Sequence, residues 1–179
     1  MLSDLLENQI VFDMRELNDD TRVRGTDIEC LTAIGTYRNI IGDYVLRSKR
    51  VYLFSFQVVN ALAFKVGVVL RQPVDDMLAK KETLKGAFCN TEIGYAFFSQ
   101  GYARHKTKDL NGQKKIHKGV APGDVVTIAF DTIRGTLSFY INKEFGCQLF
   151  VDQKFKSEEF YPALAILGEN EKLRLTYYD

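Results

Sequence analysis

Between residues 125 and 141, apolar and polar positions alternate with a period of two, interrupted once. Val126, Ile128 and Phe130 interleave with smaller or polar neighbours, and after Thr132-Ile133-Arg134-Gly135 the alternation resumes at Leu137, Phe139 and Ile141. Such a period marks a strand with one buried face, so the segment predicts an antiparallel hairpin. Gly135 suits the positive φ of a short loop, and Pro122-Gly123 stop the chain ahead of the first strand. Two apolar faces need a covering layer, which implies an all-β core. Tyr161 to Ile166 predicts a further strand, with Pro162 near its start where no ladder donor is needed. Val51 to Val59 places Tyr52, Phe54, Phe56 and Val58 on one aromatic face, and Phe64 to Leu70 is almost continuously apolar, as a central strand would be. Shorter strands are expected at Ile10–Phe12 and Ile28–Ala33, separated by the polar stretch 18–22. A meander through Phe88, Ile93–Phe98, Gly101–Arg104 and Ile116–Val120 leads into the hairpin, and Leu173–Tyr177 reads as the final strand.

From Pro73 to Gly86 the period changes. Val74, Met77, Leu78 and Leu84 recur at nearly helical spacing, Asp75-Asp76 lead, and Lys80, Lys81 and Lys85 trail, an order that suits a helix dipole. One or two helical turns inserted in a loop are expected there. Ser3 is a candidate cap for a short helix holding Leu5 and Leu6.

The sequence resembles the SPRY family, the core of the B30.2 domain. The residues that carry the likeness are Gly123-Asp124, Asp131, Gly135-Thr136-Leu137-Ser138-Phe139-Tyr140 and Tyr161-Pro162-Ala163, with upstream echoes at Tyr37-Arg38-Asn39, Val51–Phe56, Phe64–Val68 and Ile93–Ala96. It covers roughly residues 30 to 177. The resemblance implies a two-sheet antiparallel β-sandwich of jelly-roll type, with residues 28–179 forming the sandwich and residues 1–27 an extension packed on or beside it. No PRY segment is matched. Leu53 and Tyr95 stand where the family pattern commonly has tryptophan, and the chain contains none. Ligand contacts that the family makes through those tryptophans are not carried over to this chain.

A chain of 179 residues with a 46% apolar share can bury a sizeable core as one domain. Its net charge of +1 gives no global pull toward nucleic acid or an anionic membrane, although charge is unevenly placed. Arg104, Lys106, Lys108, Lys114, Lys115 and Lys118 face Asp109 alone in the stretch 101–120. That basic stretch, with Asn111-Gly112 at its middle, reads as an exposed hairpin tip or as a contact for an anionic partner. Cys30, Cys89 and Cys147 form no metal or disulfide pattern, no leader is evident and no apolar run nears the roughly 20 residues of a membrane span. A reducing, cytoplasmic setting is expected, with a cytoskeletal or ciliary association as one variant. Because the chain starts with Met and ends on an apparent last strand, no attached effector domain is expected.

Catalytic signatures are missing: there is no nucleophile elbow, phosphate loop or zinc-protease motif. His105 or His117 with Cys89 is the remote enzymatic reading, and Asp19-Asp20 and Asp75-Asp76 are weak candidates for a cation. No cofactor or metal is expected. Asp124 and Asp131 read as turn carboxylates that accept backbone N–H bonds. The expected function is non-catalytic recognition of a peptide or protein, acidic in one version, through loops at one end of the sandwich. The resemblance places those loops at Thr36-Tyr37-Arg38, at Met77-Leu78 and at Leu167-Gly168-Glu169-Asn170; separately, Arg38 or Arg104 is expected to supply a cation for acidic side chains. Each also has a structural reading. Tyr37 and Arg38 would close a turn, Met77 and Leu78 would be the packed side of the helix, and residues 167–170 would be a hairpin turn. A fixed subunit of a large assembly is the alternative role.

Overall fold

The computed structural model describes residues 1–17, 20–32, 35–106 and 113–179. In chain order its strands are β1 (Met14–Glu16), β2 (Thr21–Arg24), β3 (Asp27–Cys30), β4 (Arg38–Gly42), β5 (Val51–Asn60), β6 (Phe64–Leu70), β7 (Gly94–Phe98), β8 (Tyr102–Arg104), β9 (Val125–Asp131), β10 (Thr136–Ile141), β11 (Glu144–Val151), β12 (Phe160–Ile166) and β13 (Lys172–Thr176). They form a six-stranded sheet in the order β1-β4-β12-β6-β7-β8 and a seven-stranded sheet in the order β11-β10-β9-β5-β13-β3-β2. Every pairing is antiparallel. Residues 1–27 supply an edge strand to each sheet.

The expected hairpin is β9–β10, in register from Thr136 opposite Asp131 to Ile141 opposite Val126, and Gly135 takes φ +76° in its turn. The inward faces of the two sheets meet through rings. Phe97 stacks on Phe139 with centroids 4.1 Å apart, and Phe130 meets Phe155 and Phe160 edge-on at 5.0 and 5.3 Å. All five are fully buried. Phe155 comes from α2 (Lys154–Ser157), which closes one end of the core.

A third layer covers the outer face of the six-stranded sheet. Helix α1 (Arg71–Ala79) and the segment that follows place Val74, Ala87, Phe88 and Cys89 against Ile41, Val69, Ala96, Ala163 and Ala165. Burial on both faces explains why Tyr161–Ile166 reads as an apolar run and why Phe64–Leu70 is apolar at all but Lys65. Gly94 admits the crossing segment closely, since a Cβ there would lie 2.5 Å from the Phe88 carbonyl oxygen.

Several sequence expectations are corrected. Helix α1 begins two residues before Pro73, because a proline in the first turn forfeits no intrahelical bond. Arg71 and Gln72 reach Asp75 and Asp76 one turn on, at 3.0 and 2.8 Å. Phe88 lies in a 3₁₀ turn. Ile10 and Phe12 are buried, but the first strand starts only at Met14. Thr21 and Arg22, expected in a loop, pair with β3, whose strand starts at Asp27 and ends at Cys30. Ile116–Val120 is a strap without ladder pairing, pinned by Ile116 N–H to the Gly101 carbonyl at 2.8 Å and broken by Gly119 at φ +100°. Asn18, Asp19, Ala33, Lys108, Asp109 and the Asn111-Gly112 turn lie outside the described residues.

The amino-terminal 3₁₀ helix, Leu2–Asn8, contains Ser3 rather than being capped by it, and lays Leu2, Leu5 and Leu6 on Leu53, Ala129 and Tyr140. Immediately after it, the Gln9 amide donates to the Tyr178 carbonyl at 3.0 Å and accepts from the Tyr178 N–H at 2.7 Å.

Candidate functional site

Strand register brings two of the expected loops together. Arg38 of β4 sits opposite Ile166 of β12, so Thr36–Arg38 enters the six-stranded sheet beside the turn at 167–170. This is called the upper end. The turn is held by Glu171, whose buried carboxylate accepts the Leu62 and Ala63 N–H at 2.9 and 3.2 Å on one oxygen, and the Gly168 and Leu167 N–H at 2.9 and 3.4 Å on the other. Asn170, at φ +61°, donates its N–H to the Cys30 carbonyl at 2.9 Å. A loop tethered in this way presents its exposed side chains, Glu169 and Asn170, with little freedom left to lose.

Beside it lies an open groove of about 650 Å³. Asp20, Thr36, Tyr37 and Arg38 form one wall and residues 83–86 the other. The second wall exists because the chain leaving α1 folds back across the outer face, where Asn39 accepts the Phe88 N–H and donates to the Gly86 carbonyl, both at 2.8 Å. Arg38 is buried and ion-paired with Asp20, and its guanidinium also reaches the Thr36 hydroxyl. Burial works to raise the Asp20 carboxyl, but Arg38's hydrogen bond and charge outweigh it and hold the group below the usual carboxylate range.

Beneath Tyr37 lies an ammonium. Lys65 projects from β6 under the outer layer, 3% exposed, with Nζ 4.0 Å from the Tyr37 ring centroid, 5.3 Å from that of Phe98 and 3.4 Å from Asn90 Oδ1. Burial lowers the pKa of this lysine and pushes the Tyr37 hydroxyl up to about 12. Tyr37 is thus a neutral ring resting on a desolvated cation.

The other expected site residues stand apart. Met77 packs its side chain into the outer-layer cluster, and Leu78, 40% exposed, points away from it on α1. Arg104, put forward as a cation for an acidic partner, is instead 1% exposed, with Nη1 donating to Gln113 Oε1 at 3.2 Å. Its place on β8 under the covering segments turns it from a surface charge into an interior one. Asp20, Leu84 and Lys85 line the groove without having been singled out as partner contacts. Lys85 is legible in the sequence only as a cation trailing a helix, since nothing local indicates that its loop returns to β4.

Cys89 and the two histidines make no hydrogen bond to one another among the described residues. Cys89 is fully buried, which pushes its thiol up to about 11. His105 stacks on Tyr95 at 3.9 Å with Nδ1 2.8 Å from the Gly94 carbonyl, and His117 lies edge-on to Phe139 at 5.6 Å. Tyr95, at one of the tryptophan positions, is 2% exposed and donates its hydroxyl to Asp152 at 2.6 Å. Among the described residues no group of three or more His, Cys, Asp or Glu is placed to hold a metal ion, and no helix is long and apolar enough to cross a membrane.

The family model described as SPRY domain matches residues 51–179. Among solved structures, the SPRY domain of human HERC1 superposes with a TM-score of 0.69 at 19% identity, covering 94% of this chain and 99% of that one. The TRIM65 PSpry domain gives 0.71 at 13% identity over 99% and 95% of the two chains. A further human SPRY domain gives 0.67 at 12% identity over 90% and 95%. No curated protein matches the chain.

Proposed function

Since this chain belongs to the SPRY domain family, whose fold serves protein–protein recognition, we propose that it binds a peptide segment of a partner protein in the groove at the upper end of the sandwich. The observation that carries this reading is the groove itself: a concave, open surface with polar and apolar lining, built on two sheets whose core is fixed. Residues 28–179 act as the recognition module and residues 1–27 brace its edges. Recognition without chemistry accords with a thiol that burial keeps protonated and with histidines packed among rings.

The cation for an acidic partner is Lys85, exposed and without an ion pair among the described residues, rather than Arg38 or Arg104. Arg38 is already neutralised by Asp20 and serves to hold the wall. Tyr37 provides the flat apolar contact, and Glu169 and Asn170 supply hydrogen bonds at the rim.

The test is a partner isolated from native extract and then measured by titration against folded variants. Tyr37→Ala is expected to weaken binding by about 2 kcal/mol, roughly thirtyfold, as for a central contact, and Lys85→Glu to weaken it in a salt-dependent way. Wild-type affinity in both variants and in Leu167→Asp would remove the groove from consideration. Co-sedimentation with a large particle through moderate salt would instead favour a fixed structural subunit.

A further inference from the structure

The opposite, lower end of the sandwich carries a feature that the groove does not use. There the chain crosses from β4 to β5 through Arg47-Ser48-Lys49-Arg50, four consecutive exposed residues, three of them basic. This turn is pinned from below by two buried hydroxyl side chains. The Tyr52 hydroxyl accepts the Arg47 N–H at 2.9 Å and donates to the Arg47 carbonyl at 3.0 Å, while Thr132 Oγ1 accepts the Arg50 N–H at 2.9 Å. Tyr52 and Thr132 are 3% and 2% exposed, so the anchor belongs to the core. Lys49 adopts φ +66°, a left-handed conformation that is unfavourable for a residue with a Cβ and that glycine would take freely. A lysine stands where glycine would be easier.

Two clefts flank the turn, and Arg50 lines both. One, of about 450 Å³, runs past Ile10, Lys49 and the exposed Ile133, with Glu7 at its rim. The other, of about 560 Å³, runs past Val45, Arg47 and Ser48, with Asp43 at its rim. Arg47 is paired with Glu159 at 3.1 Å, but Lys49 and Arg50 have no carboxylate partner among the described residues.

From this rigid turn, its two unpaired cations and the cleft on either side, we infer that the lower end is a second binding site, for an extended peptide segment combining acidic and aliphatic side chains. The acidic groups meet Lys49 and Arg50, and an aliphatic side chain meets the exposed Ile133. Glu7 and Asp43 at the rims accept the peptide's own backbone N–H groups, which a protein ligand has and a polyphosphate lacks. Nucleic acid fits less well for a second reason. Tyr52 is buried and offers no ring face, and Tyr44, half-buried, meets it edge-on with centroids 6.1 Å apart, so the site lacks the row of exposed rings on which successive bases stack. About 20 Å of strand separates this turn from the upper groove, so the two sites can be occupied independently.

The experiment is a selection of random peptides displayed on phage against the intact chain, depleted on a Lys49→Glu/Arg50→Glu double variant of confirmed fold. Enriched sequences are expected to pair Asp or Glu with Ile, Leu or Val, to bind the double variant at least tenfold more weakly, and to bind Lys85→Glu at the upper groove unchanged. Lys49→Gly separates a functional lysine from a merely tolerated one: its thermal midpoint is expected to be no lower than that of the wild type, with affinity for the selected peptides down several-fold. The inference is overturned if enriched peptides lack acidic residues, if they bind the double variant as well as the wild type, if Lys49→Gly binds undiminished, or if single-stranded RNA or phosphatidylserine vesicles are held more tightly than the peptides.

Discussion

Glu171 has a role that its neighbours in the sequence conceal. Within Glu169-Asn170-Glu171-Lys172 it reads as one more solvated charge, yet its carboxylate gathers four backbone N–H groups from two separate loops. Glu171→Ala is expected to cost about 2–4 kcal/mol in urea denaturation, because it leaves buried donors without acceptors, and Glu171→Gln less, because one oxygen remains. Lys65 is the converse case, a charge whose burial is not repaid by a carboxylate in direct contact among the described residues. Lys65→Met is expected to leave stability unchanged or to raise it by about 1 kcal/mol, since desolvation of the ammonium opposes its attraction to Tyr37 and Phe98. The same variant would weaken an acidic ligand in the groove if Tyr37 transmits the cation's field.

Among the elements, the β10–β11 turn is built from Asn142 and Lys143 at φ +51° and +71°, the mirror-image geometry in which glycine is favoured at the second position. Lys143→Gly is expected to stabilise the fold by about 0.5 kcal/mol in chemical denaturation, with the relief of strain partly offset by loss of the Lys143 ammonium's contact 4.9 Å from the Tyr178 ring. Strands with one covered face, such as β9 and β10, were legible because their alternation is local. The limits of α1 were less so, since Pro73 looks like a boundary until its place in the first turn is known. The strap at 116–120 alternates poorly and owes its course to distant bonds to Gly101 and Ser99, which no local pattern encodes.

For the molecule as a whole, the change in stability between pH 7.5 and pH 5 should centre on His105, while the carboxylates held low by their partners act at more acidic pH. Burial is the largest influence on its ring and lowers its pKa below 6.5, against the hydrogen bond that the ring donates to the Gly94 carbonyl, the neighbouring Lys106 and Lys154 adding to the shift and Asp152 opposing it. The unfolded chain therefore takes up the proton first, so the histidine's contribution is fully present above about pH 6.5 and is lost as pH falls through the folded value. Urea midpoints at pH 5 and pH 7.5 are expected to differ more in the wild type than in His105→Phe. The two-sheet architecture could be anticipated from phenylalanine and aliphatic periodicity together with the motif at 123–140. The groove could not, because its walls come from segments some fifty residues apart that meet only after α1 and its following loop have crossed the sheet.

The clasp between the Gln9 amide and the Tyr178 backbone sets the segments around residues 9 and 178 side by side at hydrogen-bonding distance. A body whose two ends emerge together can be spliced into a surface loop of a carrier protein, or its ends joined and new ones opened at an exposed turn, without unravelling either sheet. The architecture is in this sense portable, a plug-in that travels as one piece.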